Sequence, residues 1–238
     1  MNQHPPAHHC SAETRQHAFA VSPLTQHMSD DERTRLAHDL LARSWGEGET
    51  IFRAGDTLDG SYLILAGHAR ILRNTAEGQE TTLDIAVPGD VIGPLQADPE
   101  PLKESALALD TTCALFIPAH SLESIVREYP TLAVALMNMQ YRRLMQSRQT
   151  GMAQSTQSVT QRVACVLLLL DRKTGYTRSD GTRVLQVKLP RTDVAGMAGT
   201  TVESTSRVMA QLKKNGVIDS GREWVHILDL PELRKLAE

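Results

Sequence analysis

Glu203, Ser206 and Arg207 stand three and four residues apart in a stretch with helical periodicity, so on a helix they share one face. Their side chains suit one kind of chemistry. An arginine can bond bidentately to guanine O6 and N7, a glutamate can accept from cytosine N4, and a serine can meet a base edge. Lys213 and Lys214, a turn or two later, could hold phosphate, and Thr192 and Thr201 are further candidates for DNA contact. Val202, Val208, Met209 and Leu212 fall towards the other side of the same helix. The expected chemistry is the reading of double-stranded DNA. A plainer reading is a capped amphipathic helix, with Glu203 reaching back to the Thr200 N–H as a capping box.

Such a triad has to be carried on a helix that is itself braced. Immediately before it, Val194, Ala195, Met197 and Ala198 give a short helix an apolar side. Gly199 then supplies a residue free to turn, and Thr200 or Thr201 can cap the second helix. Two short helices joined by a tight turn, the second aimed at the major groove, make a helix-turn-helix. Around it the sequence predicts a helix over 157–172, with Val163, Val166, Leu167 and Leu170 inward. It also predicts a hairpin over 175–189 about Asp180-Gly181, a second hairpin over 217–228 about Ser220-Gly221, and a closing helix over 231–237. The second hairpin reads as a wing touching the DNA backbone.

Upstream, a capping box of Ser29 and Glu32 opens a short helix with Leu36, Leu40 and Leu41 as its apolar stripe. From 45 to 117 short β-rich segments alternate with glycine turns at Gly55, Gly67, Gly78 and Gly89, the spacing of a β-sandwich or jelly roll. A long helix then runs from Thr131 to about Ser155. Along it Val134, Met137, Tyr141, Leu144, Arg148 and Gly151 alternate spacings of three and four, a heptad seam for a homodimer. The fold class is therefore α+β. It divides into an N-terminal tail over 1–28, a jelly-roll sensor over 29–130, a dimerisation helix over 131–156 and a winged helix-turn-helix over 157–238.

The totals fit this division. The chain has 238 residues, 41% apolar and 22% charged, with a net charge of −3. That charge is uneven: 156–238 holds 13 Lys and Arg against 9 Asp and Glu, whereas 1–155 holds 12 against 19. The basic excess sits with the helix-turn-helix. The longest apolar run, 163–170, is far too short to cross a bilayer, and no signal peptide is visible. Three scattered cysteines, Cys10, Cys113 and Cys165, form no CxxC pattern. A cytoplasmic location with no membrane partner is expected.

The order of jelly roll, long helix and winged helix-turn-helix resembles the Crp/Fnr family of bacterial transcription regulators. The resemblance covers nearly everything beyond about residue 20. It rests on Leu189-Pro190-Arg191-Thr192-Asp193-Val194-Ala195 leading to Gly199-Thr200-Thr201-Val202-Glu203-Ser204-Thr205-Ser206-Arg207, with Gly48-Glu49-Thr50-Ile51-Phe52 and Pro88-Gly89-Asp90 in support. The serine before the arginine is similar to the fumarate–nitrate regulator branch. The resemblance implies a palindromic target with half-sites like TTGAT, RNA polymerase as a partner, and a redox or gas signal.

Departures from the family qualify that signal. In the cyclic-AMP-binding branch a Gly-Glu pair and an Arg-Ser pair hold ribose and phosphate. Here Gly93 is followed by Pro94, and no arginine lies between Arg73 and Arg127. A buried phosphate wants a bidentate arginine, so cyclic AMP is not expected as the effector. The four-cysteine iron–sulfur cluster of the oxygen-sensing branch is also not expected: there are three cysteines, and Cys113 is two residues, about 7 Å of strand, from the corresponding position. Haem, or a cluster with fewer cysteines, stays open. Its candidate ligands are Cys10, His17 and His27, then His68 and, last, Cys113. The tail around His4, His8 and His9 reads either as a ligand arm or as a disordered segment. Two other functions are also open: a regulator needing no effector, and a jelly-roll metalloenzyme. The latter is opposed by the single histidine, His68, between residues 45 and 117.

Overall fold

The computed structural model describes residues 18–20, 22–75, 78, 80–95 and 100–238. The chain divides into two compact units. One holds Met1–Arg73 and Ile85–Leu144, the other Asn74–Asp84 and Met145–Glu238. The sensor expected over 29–130 thus gives up one arm of chain, 74–84, to the unit that carries the helix-turn-helix.

The first unit opens with α1 (Asp30–Asp39), capped as expected by Ser29 and Glu32. It ends earlier than the leucine stripe suggested. Leu40 is already extended, and Leu41 is 60% exposed at the start of β1 (Leu41–Trp45). Pairing of β1 with β8 (Thr112–Pro118), Leu41 opposite Phe116 through Trp45 opposite Thr112, captures those residues as strand. The remaining strands are β2 (Thr50–Phe52), β3 (Gly60–Ala66), β4 (Ala69–Asn74), β5 (Glu80–Ala86), β6 (Val91–Ile92) and β7 (Ser105–Ala108). They form two four-stranded sheets, β1-β8-β3-β6 and β2-β7-β4-β5.

Strand β3 shows why these sheets stack. It is buried on both faces: Tyr62 and Ile64 point into a core with Trp45, Phe52, Ile71 and Ala106, while Leu63 and Leu65 point into another with Phe19, Leu36, Leu115 and Tyr129. Trp45 meets Tyr62 edge-on at 5.2 Å, and Tyr62 meets Phe116 at 5.1 Å. Burial pushes the Tyr62 phenol above its ordinary pKa. Near the edge, His68 is held by Asp110: its ring Nδ1 lies 2.6 Å from Oδ2, and its backbone N–H donates to Oδ1 at 2.7 Å. His68 is therefore a part-buried residue paired with Asp110.

After α2 (Leu122–Glu128) comes α3 (Pro130–Thr156), a 27-residue helix. Its early turns have two distinct apolar faces. Leu132, Ala135, Leu136 and Met139 pack on the core of the first unit. Val134, Met137, Tyr141 and Leu144, the residues of the expected seam, are 57%, 69%, 63% and 49% exposed. Arg148 and Gly151, which continue it, are exposed as well.

The second unit contains α4 (Val159–Thr174), β9 (Gly175–Thr177), β10 (Arg183–Leu185), α5 (Arg191–Met197), α6 (Val202–Lys214), β11 (Ile218–Ser220), β12 (Val225–Ile227) and α7 (Leu230–Leu236). Ser158 and Gln161 form a capping box on α4, whose Val163, Val166, Leu167 and Leu170 are buried. The two expected hairpins are joined: β10 pairs with both β9 and β12, giving one sheet ordered β11-β12-β10-β9. Among the described residues no helix is long and apolar enough to cross a membrane.

Candidate nucleic-acid interface

Helix α5 is built to sit beneath another helix. Val194, Ala195, Met197 and Ala198 are all buried, as the sequence predicted. Gly199 then turns the chain at φ +59°, a left-handed conformation that glycine adopts without strain. Thr201 caps α6, its Oγ1 accepting from the Ser204 N–H at 3.1 Å. On α6 the side chains of Thr205, Met209 and Leu212 are buried against the unit. Val202, expected on that face, is 44% exposed at the first helical position.

The opposite face carries the reading residues. Glu203, Ser206 and Arg207 are exposed. Arg207 Nη2 donates to Glu203 Oε1 at 2.8 Å, with the two side chains 77% and 82% exposed. This pairing corrects one expectation. Glu203 does not cap α6: with Thr201 as N-cap the third helical position belongs to Ser204, and the Thr200 N–H goes to the Ala195 carbonyl at 3.0 Å. An exposed ion pair of this kind stabilises the free protein little. Both partners are available to base edges.

The flanking phosphate candidates divide. Thr192 is exposed on the first turn of α5, whose N-cap, Pro190, makes no side-chain cap bond. The exposed threonine's hydroxyl is of a kind that can bond a phosphate oxygen. Lys213, though exposed, has its ammonium tied within the unit. Its Nζ lies 2.7 Å from Asp219 Oδ1 and donates to the Ser220 carbonyl at 3.1 Å. The hydrogen bond from Lys213 holds the Asp219 carboxyl below its ordinary range. Lys214, next to it, is exposed.

Contacts that the sequence reading did not foresee fix the wing against these helices. Arg191 Nη2 donates to Ser220 Oγ at 2.9 Å, and burial of that guanidinium pulls its pKa down. The Leu189 N–H donates to the Glu223 carbonyl at 2.9 Å. Between β11 and β12 the turn presents Arg222 and Glu223, followed by Trp224, which is 40% exposed with its ring 4.6 Å from that of His226. Arg222 and Trp224 in a hairpin were the available signal for this tip.

Among the described residues the candidate cofactor ligands form no group of three. His27 is exposed beside Gln26, and Cys10 and His17 lie outside the described residues. Cys113 is buried in β8. Among the described residues no three His, Cys, Asp or Glu side chains are grouped so as to hold a metal ion.

Comparison with known proteins agrees with this geometry. A Crp-like helix-turn-helix domain matches residues 161–236, and a cyclic nucleotide-binding domain matches 42–129. The transcriptional activator protein Anr of Pseudomonas aeruginosa is 28% identical over 191 residues, covering 80% of this chain and 78% of its own. The cyclic AMP receptor protein of Thermus thermophilus is 28% identical over 217 residues, covering 91% of this chain and 97% of its own. The structure of FixK2 from Bradyrhizobium japonicum superposes with a TM-score of 0.71 at 24% identity, over 84% of this chain and 98% of that one, a likeness of fold. With its jelly roll, long helix and exposed recognition face, the chain belongs to the Crp/Fnr family of DNA-binding transcription regulators.

Proposed function

We propose that this regulator works as a homodimer reading a palindrome with half-sites like TTGAT, under a redox or gas signal and not under cyclic AMP. One observation carries the reading of DNA: Glu203, Ser206 and Arg207 are exposed together on a helix whose other face is buried through Thr205, Met209 and Leu212. The dimer is supported by the second apolar face of α3, where Val134, Met137, Tyr141 and Leu144 are about half to two-thirds exposed. Exposed apolar residues at heptad spacing are how two helices find each other. Independence from cyclic AMP is supported by the Gly93-Pro94 sequence and by the lack of any arginine in 74–126. Half-site and signal are supported by the serine–arginine pair at the end of the reading motif. RNA polymerase is the partner that family membership implies. A regulator that needs no effector keeps the same surfaces and differs only in binding DNA equally well whatever the redox or gas cue.

The ligands proposed for a haem or a cluster are Cys10, His17 and His27; among the described residues no three His, Cys, Asp or Glu side chains are grouped as a metal site. An absorption spectrum of the anaerobically purified protein tests this. A Soret band marks haem, a broad charge-transfer absorbance marks a cluster, and a featureless spectrum excludes both. Sedimentation equilibrium tests the dimer: the native chain is expected at twice its monomer mass and Met137→Glu at the monomer mass. Micromolar affinity for cyclic AMP by calorimetry overturns the proposed independence.

A further inference from the structure

We propose that Thr82 and Asp84 of β5 are positioning residues of the DNA-reading unit: they grip α5 and α4 and set the pose from which α6 meets DNA. The inference rests on the reading of the chain as a DNA-binding homodimer. The Thr82 Oγ1 hydroxyl donates to Asp193 Oδ1 at 2.7 Å, and these residues are 3% and 0% exposed. A carboxylate buried that deeply needs its donors, since each one lost leaves desolvation uncompensated. One turn along α5, Gly196 faces the backbone of the same threonine. A Cβ there would lie 2.7 Å from the Thr82 nitrogen and 2.8 Å from its carbonyl oxygen, so only glycine lets helix and strand approach this closely. Two residues further along β5, Lys173 Nζ of α4 donates to both oxygens of Asp84 at 2.9 Å.

The gripped side of α5 is not the side that faces DNA. Glu203, Ser206 and Arg207 stay exposed while Asp193 is buried, so the contact leaves the reading face open and acts as a brace. Helix α5, with Val194, Ala195 and Met197 buried, packs against α6, whose Met209 and Leu212 are buried too, and close packing passes a tilt from one helix to the next. Residues 74–84 belong with the reading unit, yet β5 ends at Ile85 and Ala86 in the other. The strand therefore passes directly from the sandwich into the brace, independently of the chain path through α3.

The test uses the full-length protein with Thr82→Val, which keeps the shape and removes the donor, and with Asp84→Asn, which removes the ion pair and leaves Thr82 in place. Two readouts are taken. Hydrogen exchange of the α5 amides is expected to quicken by about tenfold in Thr82→Val, the scale of one hydrogen bond to a charged group, while the buried centre of α4 stays unchanged. Binding is read by fluorescence anisotropy on a duplex with two TTGAT half-sites and on a duplex with one. Both variants are expected to lose about tenfold on the two-site duplex and nothing on the single site, because only the double engagement depends on a fixed pose. Equal losses on both duplexes, no loss on either, or tighter two-site binding would each overturn the proposal. Unchanged exchange in α5 overturns the grip itself and needs no DNA. A wild type that gains nothing from a second half-site refutes the dimeric reading instead, and the exchange experiment then decides the brace alone.

Discussion

Replacing Arg207 by alanine removes the reading group with the most definite expected loss. In the free protein its guanidinium is 77% exposed and paired with Glu203 at 2.8 Å. That pair is exposed and four residues apart on a helix, so breaking it to engage DNA costs about 0.3–0.5 kcal/mol. A bidentate contact to guanine contributes about 1–3 kcal/mol of discrimination. The contact therefore outweighs the pair. On a single half-site Arg207→Ala is expected to lose about 5- to 150-fold in affinity for the matched sequence. On a palindrome engaged by two subunits the free-energy loss doubles. Competition anisotropy at fixed salt measures this, with the half-site guanine replaced by 7-deazaguanine as a control. The analogue lacks the N7 acceptor, so it should weaken the native protein and leave Arg207→Ala unaffected. If the native protein does not discriminate matched from scrambled duplex, or if the variant still responds to the analogue, Arg207 does not read that base.

Lys213→Met tests whether this lysine holds phosphate or only ties α6 to β11. Because Asp219 and the Ser220 carbonyl already occupy it, the slope of log K against log salt should change by well under the ~0.9 expected for one phosphate contact. Arg148→Leu removes a repelling pair from the proposed seam and should tighten the dimer by about tenfold in sedimentation; a weaker dimer would place Arg148 off the seam. Asp110→Asn tests the clasp on His68. Burial alone would raise the Asp110 carboxyl, but the hydrogen bonds and charge of His68, with help from Thr112, bring it below its ordinary value. A depressed folded pKa stabilises fully above the unfolded value of about 3.9. The native protein's urea midpoint should therefore exceed the variant's by a constant margin near neutrality, and the margin should shrink as pH falls through the folded pKa. A margin that grows in acid contradicts the clasp.

The helix-turn-helix was legible because its signals are local. An apolar side, a glycine, a capping hydroxyl and a helical face of polar groups all fall within two dozen residues, and each acts through its neighbours. The cap of α6 was ambiguous for the same reason: Thr200 and Thr201 both satisfy the local rule, and the choice between them decides whether Glu203 caps or pairs. Strand β1 was hidden because Leu-Ala-Arg-Ser-Trp has no clean alternation, and its pairing with β8 lies some seventy residues away in the sequence. His68 and Asp110, 42 residues apart, and Thr82 and Asp193, 111 apart, meet only through the fold. Lys213 looked free because nothing local announces that Asp219 will turn back to it across Gly216.

The composite make-up of the second unit bears on how this protein can be taken apart or recombined. A fragment cut at the natural-looking joint in α3 would leave with Asp193 stripped of its threonine and Lys173 stripped of its carboxylate, and so would be incomplete though it contained every helix of the reading head. Grafting a foreign sensor onto this reader faces the same obstacle. The graft would have to supply a strand with a hydroxyl and an acid two residues apart, opposite a helix that carries glycine where Gly196 stands. Sensor and reader are thus not interchangeable cassettes, and substitutions in residues 80–84 and in α5 are expected to be tolerated together or not at all.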